Sequence, residues 1–306
     1  MRQTVKLTFE PVGLDDLDRI YPFTSVYGEG SCQHSPVSMF SLSEKYGDMV
    51  CIQDGFLYTM RSRLCDEQYC VYLAPLGGGD RMAAFTYILD DAAFHGKKAK
   101  FVSITETAAA FLGEAFPDRF EIAENRDLAE YLCRTESTAT FSGGKLIRRR
   151  KEVHTFWHTY GDRVTVMRIE PKDFPEILEF ARKWLQMNEE DHDKHALWTE
   201  ARMIEKQIMN YVKLRISGVV LRIDGVVEGF SYGTKLSDKV FDGIVEKSNK
   251  QIPHIGKVLR QEATKQCAMD CEYVNMEEDV GIPGLRALKE SYHPEILLRK
   301  YIAVER

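Results

Sequence analysis

The chain has 306 residues, 44% of them hydrophobic and 29% charged, a balance that supports a sizeable core and excludes global disorder. At about 150 residues per domain, its length suggests two domains. The 41 basic and 47 acidic residues leave a net charge of −6, which argues against a wholesale nucleic-acid coat while leaving room for a local basic patch. No run of 18 apolar residues occurs and the first residues carry acids rather than an apolar signal core, so a cytoplasmic protein without a membrane-spanning helix is expected.

Residues 49–54 and 56–62 flank Asp54-Gly55, a hairpin signal. A strand over 69–74, a glycine-bearing loop over 75–80, a helix over 81–94, a strand over 100–104 and a helix over 106–116 capped by Thr105 follow. Helices are predicted near 125–133 and 146–160, then a strand over 163–169 and a helical region over 172–213. A second hairpin, 218–223 and 226–234, turns at Asp224-Gly225, 170 residues after the first. A strand over 240–246, a loop with Pro253 and Gly256, a helix to about Met269, a short strand over 272–275, a helix from Gly284 to about Ser291 and a strand over 296–304 complete the chain. The order hairpin, strand, loop, helix, strand, helix thus occurs twice. That is the signature of a duplication, and it predicts an α/β (α+β) fold of two mixed sheets covered by helices, with domains at 1–160 and 161–306.

Several side-chain patterns invite a chemical reading. The seven cysteines, Cys32, Cys51, Cys65, Cys70, Cys133, Cys267 and Cys271, form no CxxC pair and are expected to be buried reduced thiols. His154 and His158 lie four apart on a predicted helix, and 188–195 is rich in acids and histidine, but neither has the context of a metal site, and none is expected. Gly77-Gly78-Gly79-Asp80 and the loop at Gly256 each precede a helix start, where backbone N–H groups suit an anion, yet neither matches a nucleotide-binding motif and Asp80 would cap its own helix. The run Lys145 to Lys151, containing Arg149 and Arg150, holds five positive charges in seven residues. It is either a polyanion grip or a solvated helix face.

The last sixty residues concentrate charge. Glu246-Lys247 ends a strand, Asn275 ends the next, and Glu277, Glu278 and Asp279 follow before Gly281 and Gly284 allow a turn into a helix carrying Arg286 and Lys289 on one face. Charges at the ends of adjacent strands suit a ligand site, although a capped helix accounts for the same pattern.

Together, three segments resemble the C-terminal domain family of phosphatidylglycerol lysyltransferases. They are Gly144-Lys145 with Arg149, Arg150 and Phe156; Asp242 to Lys247, a strand ending in Glu-Lys; and Asn275 to Pro294, which is similar to the N-x-E-x-D-x-G-x-x-G-L-R-x-x-K-x-S-Y-x-P signature. The resemblance implies two GNAT-type acyltransferase folds in tandem, in a stand-alone soluble member, and an acyl or aminoacyl transfer. The donor would be acyl-CoA or aminoacyl-tRNA, with no covalently bound cofactor, although the lone glycine at Gly256 departs from the usual acetyl-CoA loop. It would lie in the splay between the strands ending at Glu246 and Asn275. On this reading Glu246 and Lys247 stand at the reacting centre, with Glu246 in an open cleft to orient or deprotonate the acceptor, and Tyr292 protonates the leaving group. Asn275, Arg286, Lys289 and Gly256 bind the donor; Lys145, Arg149 and Arg150 grip tRNA or an anionic lipid head group. Asp279, with Gly281 and Gly284, shapes the signature loop by accepting from backbone N–H groups or from Arg286 or Lys289. The competing class is a non-catalytic GNAT-fold module that binds a nucleotide, a lipid head group or RNA.

Overall fold

Both Asp-Gly pairs have positive φ at each residue, 50° and 77° at Asp54-Gly55 and 51° and 82° at Asp224-Gly225. This is the left-handed two-residue turn whose twist matches that of paired strands. In the computed structural model, which describes residues 6–187 and 194–306, each pair closes a hairpin in its own sheet.

The chain begins with β1 (Glu10–Pro11), α1 (Leu17–Tyr27) and α2 (Pro36–Ser41), then the hairpin of β2 (Asp48–Gln53) and β3 (Phe56–Arg61). Next come β4 (Tyr69–Tyr72), β5 (Leu76–Gly77), α3 (Arg81–Phe94), β6 (Lys98–Thr105) and α4 (Glu106–Ala115). Asp80 caps α3 by accepting from Ala83 N–H at 3.1 Å, and Thr105 caps α4 by accepting from Ala108 N–H at 3.4 Å. Where a helix over 125–133 is expected, the chain forms β7 (Phe120–Glu124), a single tight turn and β8 (Glu130–Arg134). Consecutive burial of Tyr131, Leu132 and Cys133 explains the difference, because a strand covered on both faces shows no alternation and competes with helix propensity on packing alone.

Helices α5 (Thr135–Thr140) and α6 (Ile147–Tyr160) lead to β9 (Val164–Arg168), α7 (Phe174–Gln186) and α8 (Lys194–Met209). The second hairpin is β10 (Ser217–Ile223) and β11 (Val226–Lys235), followed by β12 (Val240–Ser248), α9 (Ile255–Cys267), β13 (Tyr273–Glu278) and α10 (Pro283–Glu290). The expected last strand breaks at Arg299 into β14 (Ile296–Leu298) and β15 (Lys300–Glu305). Among the described residues, no helix is long and apolar enough to cross a membrane.

The first sheet has the order β1-β2-β3-β4-β6-β15-β7, with β5 beside β3. The second, read from its β9 edge, is β9-β10-β11-β12-β13-β8-β14. The two orders match position for position: the Asp-Gly hairpin is second and third, a parallel step joins the fourth to the fifth, and a strand remote in sequence fills the sixth. The duplication is therefore real at the level of topology. The compact units do not divide at residue 160, however. One comprises residues 1–130, 278–282 and 297–306; the other comprises 131–277 and 283–296. Strands β15 and β8 cause this, since each completes a sheet far from its neighbours in sequence.

In the first unit, α3 and α4 pack on the sheet through Phe85, Ile88 and Leu112 against Tyr58, Tyr72 and Phe101. In the second, α6 and α9 cover one face through Phe156, Val258 and Leu259. The other face stacks Phe230 on Tyr232 beneath Phe180 and Tyr211.

One irregularity shapes the second sheet. Between Tyr232↔Val245 and Thr234↔Asp242, two steps along β11 oppose three along β12, a bulge in β12. Gly233 permits it, since a Cβ there would stand 1.8 Å from the Asp242 carbonyl oxygen. The parallel register of β12 with β13 runs only over Val240–Asp242 and Tyr273–Asn275. Beyond the bulge, β12 continues to Ser248 beside β11, and a splay opens toward β13. Gly233→Ala should cost about 1–3 kcal/mol in chemical denaturation, the scale of forced backbone strain, whereas Gly144→Ala, with open space around it, should leave stability unchanged.

Candidate functional site

Consecutive strand residues point to opposite faces of a sheet. Lys247 is 8% exposed, gives an ion pair to Glu200 at 2.8 Å and lies 3.9 Å from the centre of the Trp184 ring, on the face covered by α7 and α8. Glu246 lies on the α9 face. Its carboxylate pairs with Arg260 at 2.9 Å and is 23% exposed, so it is held by a cation and does not stand open. Glu246 and Lys247 therefore do not meet at one centre. Lys247 is part of a packed charge–aromatic contact.

Helix α9 starts at His254, a residue with φ +69° and no side-chain cap. A Cβ on Gly256 would lie 3.6 Å from Glu246 Oε1, so the first turn of α9 runs against this carboxylate. Arg260, one turn further, joins Glu246 to Tyr292, with its guanidinium 5.3 Å from the Tyr292 ring centre. The Nε atom of Arg260 is buried and meets no acceptor among the described residues. Tyr292 itself is 4% exposed, its ring tilted against that of Phe141 at 5.9 Å. Burial pushes its phenol up to about 12, with Arg260 and Arg149 pulling the other way and Glu246 reinforcing it. The structure thus gathers Glu246, Gly256, Arg260, Tyr292 and Arg149 on the α9 side of the splay.

Arg149 turns inward. It is 12% exposed, pairs with Glu152 at 2.7 Å, donates to the Ser291 hydroxyl and stands 5.4 Å from the Tyr292 ring. Arg150 donates to the Phe141 carbonyl at 2.6 Å. The run 145–151 is therefore not a uniform grip. Arg149 points into the packed side of the helix, while Lys145, Arg148 and Lys151 face outward, Arg148 paired with Glu152 at 3.2 Å. His154 and His158 are exposed, and the described residues contain no cluster of three metal-ligating side chains. Most of the acidic stretch 188–195 lies outside the described residues.

The signature loop divides into separate jobs. Asn275 is fully buried where the β12–β13 register ends, and its Oδ1 accepts from Glu277 N–H at 2.7 Å. Lys289 is 7% exposed with its ammonium 6.0 Å from the Tyr131 ring, whereas Arg286 is half-buried on α10. Asp279 is fully buried, accepting from Gly281 N–H at 2.9 Å and pairing with Arg126 at 3.2 Å, in the first unit. Arg126 is a partner the sequence reading did not name. Gly281 carries the turn: its φ is +77°, and a Cβ there would stand 2.9 Å from Asp127 Oδ2. Gly284 has open space and no such constraint.

Sequence reasoning also missed Arg260, although its place four residues after Gly256 on a predicted helix was a usable signal. It had no signal for a buried polar network in the first unit, whose members lie up to 269 positions apart. Glu130 and Lys300, neither exposed, pair at 2.6 Å. Ser31 Oγ donates to Glu130 Oε1 at 2.7 Å and Cys32 N–H to Oε2 at 2.8 Å. The Cys32 thiol and the Gln33 amide donate to Glu278 at 3.3 and 3.2 Å, and Arg61 donates to Gln33 Oε1 at 2.9 Å. Within this network His34 is held down to about 3 by burial, then by the charges of Lys300 and Arg61, against a smaller opposing effect of Glu130.

Two measurements check these assignments. Because His34 is kept neutral in the fold and titrates near 6.5 when unfolded, its contribution to stability is complete above 6.5 and is lost as pH falls toward about 3. The melting temperature should therefore fall over that range, and His34→Gln should flatten the slope. Asp279→Ala should cost about 1–3 kcal/mol in denaturant titration by removing a fully buried carboxylate that holds Gly281 N–H and Arg126.

A family model described as phosphatidylglycerol lysyltransferase, C-terminal, matches residues 26–304. A conserved protein of unknown function from Bacteroides thetaiotaomicron is 27% identical, with a TM-score of 0.92 over 98% of this chain and 100% of that one. At 15% identity, the C-terminal domain of a putative lysylphosphatidylglycerol synthetase from Agrobacterium fabrum aligns over 95% of this chain and 92% of its own with a TM-score of 0.65. At the same identity, L-PGS from Bacillus licheniformis aligns over 99% and 94% with a TM-score of 0.64. No curated protein matches. The duplicated pair of mixed sheets is the fold of these solved structures, and the chain belongs to the phosphatidylglycerol lysyltransferase C-terminal family.

Proposed function

We propose that this protein is a GNAT-type acyl- or aminoacyltransferase whose activated donor lies in the splay of the second sheet. The observation that carries this reading is the conjunction of a broken β12–β13 register with the buried, acceptor-less Nε of Arg260 beside Glu246. An acyl donor needs hydrogen-bond donors for its carbonyl as negative charge develops. Beyond Asp242, β12 has no register with β13, and the alternate backbone N–H groups that do not serve β11 would supply such donors. The acceptor amine or hydroxyl attacks the carbonyl carbon, the bond to the leaving oxygen or sulfur breaks, and the acceptor's proton ends on the leaving group. Glu246, fixed by Arg260, orients the acceptor and relays its proton. With its phenol held up to about 12, Tyr292 stays protonated at neutral pH and can supply the leaving group's proton.

Family membership and the two lysylphosphatidylglycerol synthetase relatives favour an aminoacyl donor delivered on tRNA, and a lipid head group as one candidate acceptor. The outward cations Lys145, Arg148 and Lys151 offer tRNA a place to rest its phosphates. Ligand-dependent melting separates the donors. A true donor at 100 times its Kd adds about 2.7 kcal/mol of stability, so acetyl-CoA, a long-chain acyl-CoA and lysyl-tRNA should give one clear shift among them. Glu246→Gln should retain that shift while lowering transfer, followed by mass spectrometry of the acceptor, by about 10²-fold or more. A donor that stabilises the protein but is never consumed would replace this reading with the non-catalytic binding module.

A further inference from the structure

Two cysteines of the first unit stand apart from the other five. Asp66 N–H donates to the Tyr69 carbonyl at 3.1 Å, and Asp66 Oδ1 accepts from Gln68 and Tyr69 N–H at 2.8 and 2.7 Å, so 66–69 is a tight turn. Its flanks, Cys65 and Cys70, face one another. The backbone N–H of Val71, next to Cys70, donates to Cys65 Sγ at 3.3 Å, and the Cys65 thiol donates to the Arg61 carbonyl at 3.5 Å. The Val71 nitrogen is one peptide unit from the Cys70 Cα, so Cys65 Sγ lies within about 6 Å of that atom, in reach of a disulfide.

The two thiols also differ in the way a reactive pair requires. Cys65 is half-buried and Cys70 is 4% exposed. The neighbouring Cys70 side chain brings the Cys65 thiol down to about 6, with help from Val71 N–H and the ammonium of Lys97, and against burial and Asp66. Lys97 is fixed above the turn, donating to the Asp66 carbonyl at 2.5 Å, and both Lys97 and Lys100 act on Asp66. Cys70 is shifted up by the neighbouring Cys65 and by burial. Reachable thiolate and buried resolving thiol are thus adjacent. All seven cysteines are free in this structure.

We propose that Cys65 and Cys70 form a reversible redox pair, in which Cys65 is oxidised by a low-molecular-weight disulfide and Cys70 resolves the adduct into an intramolecular disulfide. The Cys65 thiolate attacks one sulfur of the small disulfide, forming a mixed disulfide and expelling one small thiolate. Cys70, losing its proton, then attacks the Cys65 sulfur and expels the second. Two cysteines are oxidised, one small disulfide is reduced to two thiols, and the protons of Cys65 and Cys70 end on them. The bond closes the turn 66–69 and is undone by the reverse exchange with a dithiol.

The probe is glutathione disulfide, applied to the whole folded protein at pH 7, followed by acid quench, trypsin and mass spectrometry. Cleavage after Arg63 and Arg81 leaves Cys65 and Cys70 together and alone in one peptide, 64–81. The expected result is that this peptide loses the mass of two hydrogen atoms, that dithiothreitol restores it, and that the remaining cysteines stay unmodified. Cys70→Ala should instead trap glutathione on Cys65, and Cys65→Ala should leave Cys70 unmodified. In the unoxidised protein, the pH profile of Cys65 alkylation by iodoacetamide should have its midpoint near 6 and move up by at least about one unit in Cys70→Ala, as loss of the neighbouring thiol requires. The proposal is overturned if peptide 64–81 of the wild-type protein keeps two free thiols, or stops at a stable glutathione adduct. An alkylation midpoint at the ordinary thiol value overturns it equally, and both measurements on the wild type hold whether or not the variants fold.

Discussion

The second sheet depends on a steric exclusion at one atom. Asp242's carbonyl oxygen occupies the space where any side chain at position 233 would begin. With glycine there, β11 and β12 approach closely enough to stay paired across the bulge while β12 gains a residue. The extra residue has two effects. It ends the register with β13 after Asn275, and it resets which face each later side chain takes, so Glu246 looks toward α9 and Lys247 toward α7 and α8. An opening in a sheet normally exposes backbone groups that need partners. Here it lies beside an uncapped helix start and a guanidinium with a spare donor, a concentration of hydrogen-bond donors that suits an electron-rich carbonyl or phosphate oxygen.

The duplication was legible because it rests on local chemistry. Asp-Gly between two alternating runs requires a left-handed turn whatever surrounds it, and both turns have the same backbone angles to within a few degrees. Asp80 and Thr105 announce their helices through hydrogen bonds that span three residues. What the sequence concealed is long-range. The strand at 130–134 reads as helix because burial on both faces erases its period, and the partners that make it a strand come from elsewhere in the chain. The boundary between the units follows from the same fact, since no local signal at residue 130 says that the next strand completes a different sheet from the last.

The candidate site was legible by composition and hidden in its connections. Glu246, Asn275, Asp279 and Lys289 all stand out as charged or amide groups near glycines, and three of the four proved nearly or fully buried. Spacing could not assign their partners. Asp279 pairs with Arg126, 153 positions earlier, while Arg149, in the most basic stretch of the chain, turns toward Ser291 and Tyr292. A run of like charges on a helix must distribute around the axis, and one position in each turn faces the core. Arg149 is at that position, and its guanidinium is neutralised by Glu152 three residues on.

Glu130 and Lys300 show how differently a buried pair and a half-exposed pair behave. Removing two full charges from water costs several kcal/mol per ion, which mutual attraction offsets only when every remaining lone pair and proton is used. Glu130 has partners on both oxygens: one takes Lys300 and Ser31, the other the Cys32 backbone. Such a pair fixes geometry, and the loop carrying Ser31 to Ser35 is held as a buried polar segment because of it. Glu246 and Arg260 are different in kind. The carboxylate keeps 23% of its surface exposed, and the guanidinium keeps one buried donor uncommitted. Full satisfaction rigidifies, and partial satisfaction beside an opening leaves room for a ligand to complete the set. The proposed reaction therefore draws on the ionic site that keeps an uncommitted donor beside an opening, and the fully buried pair serves to hold the loop at Ser31.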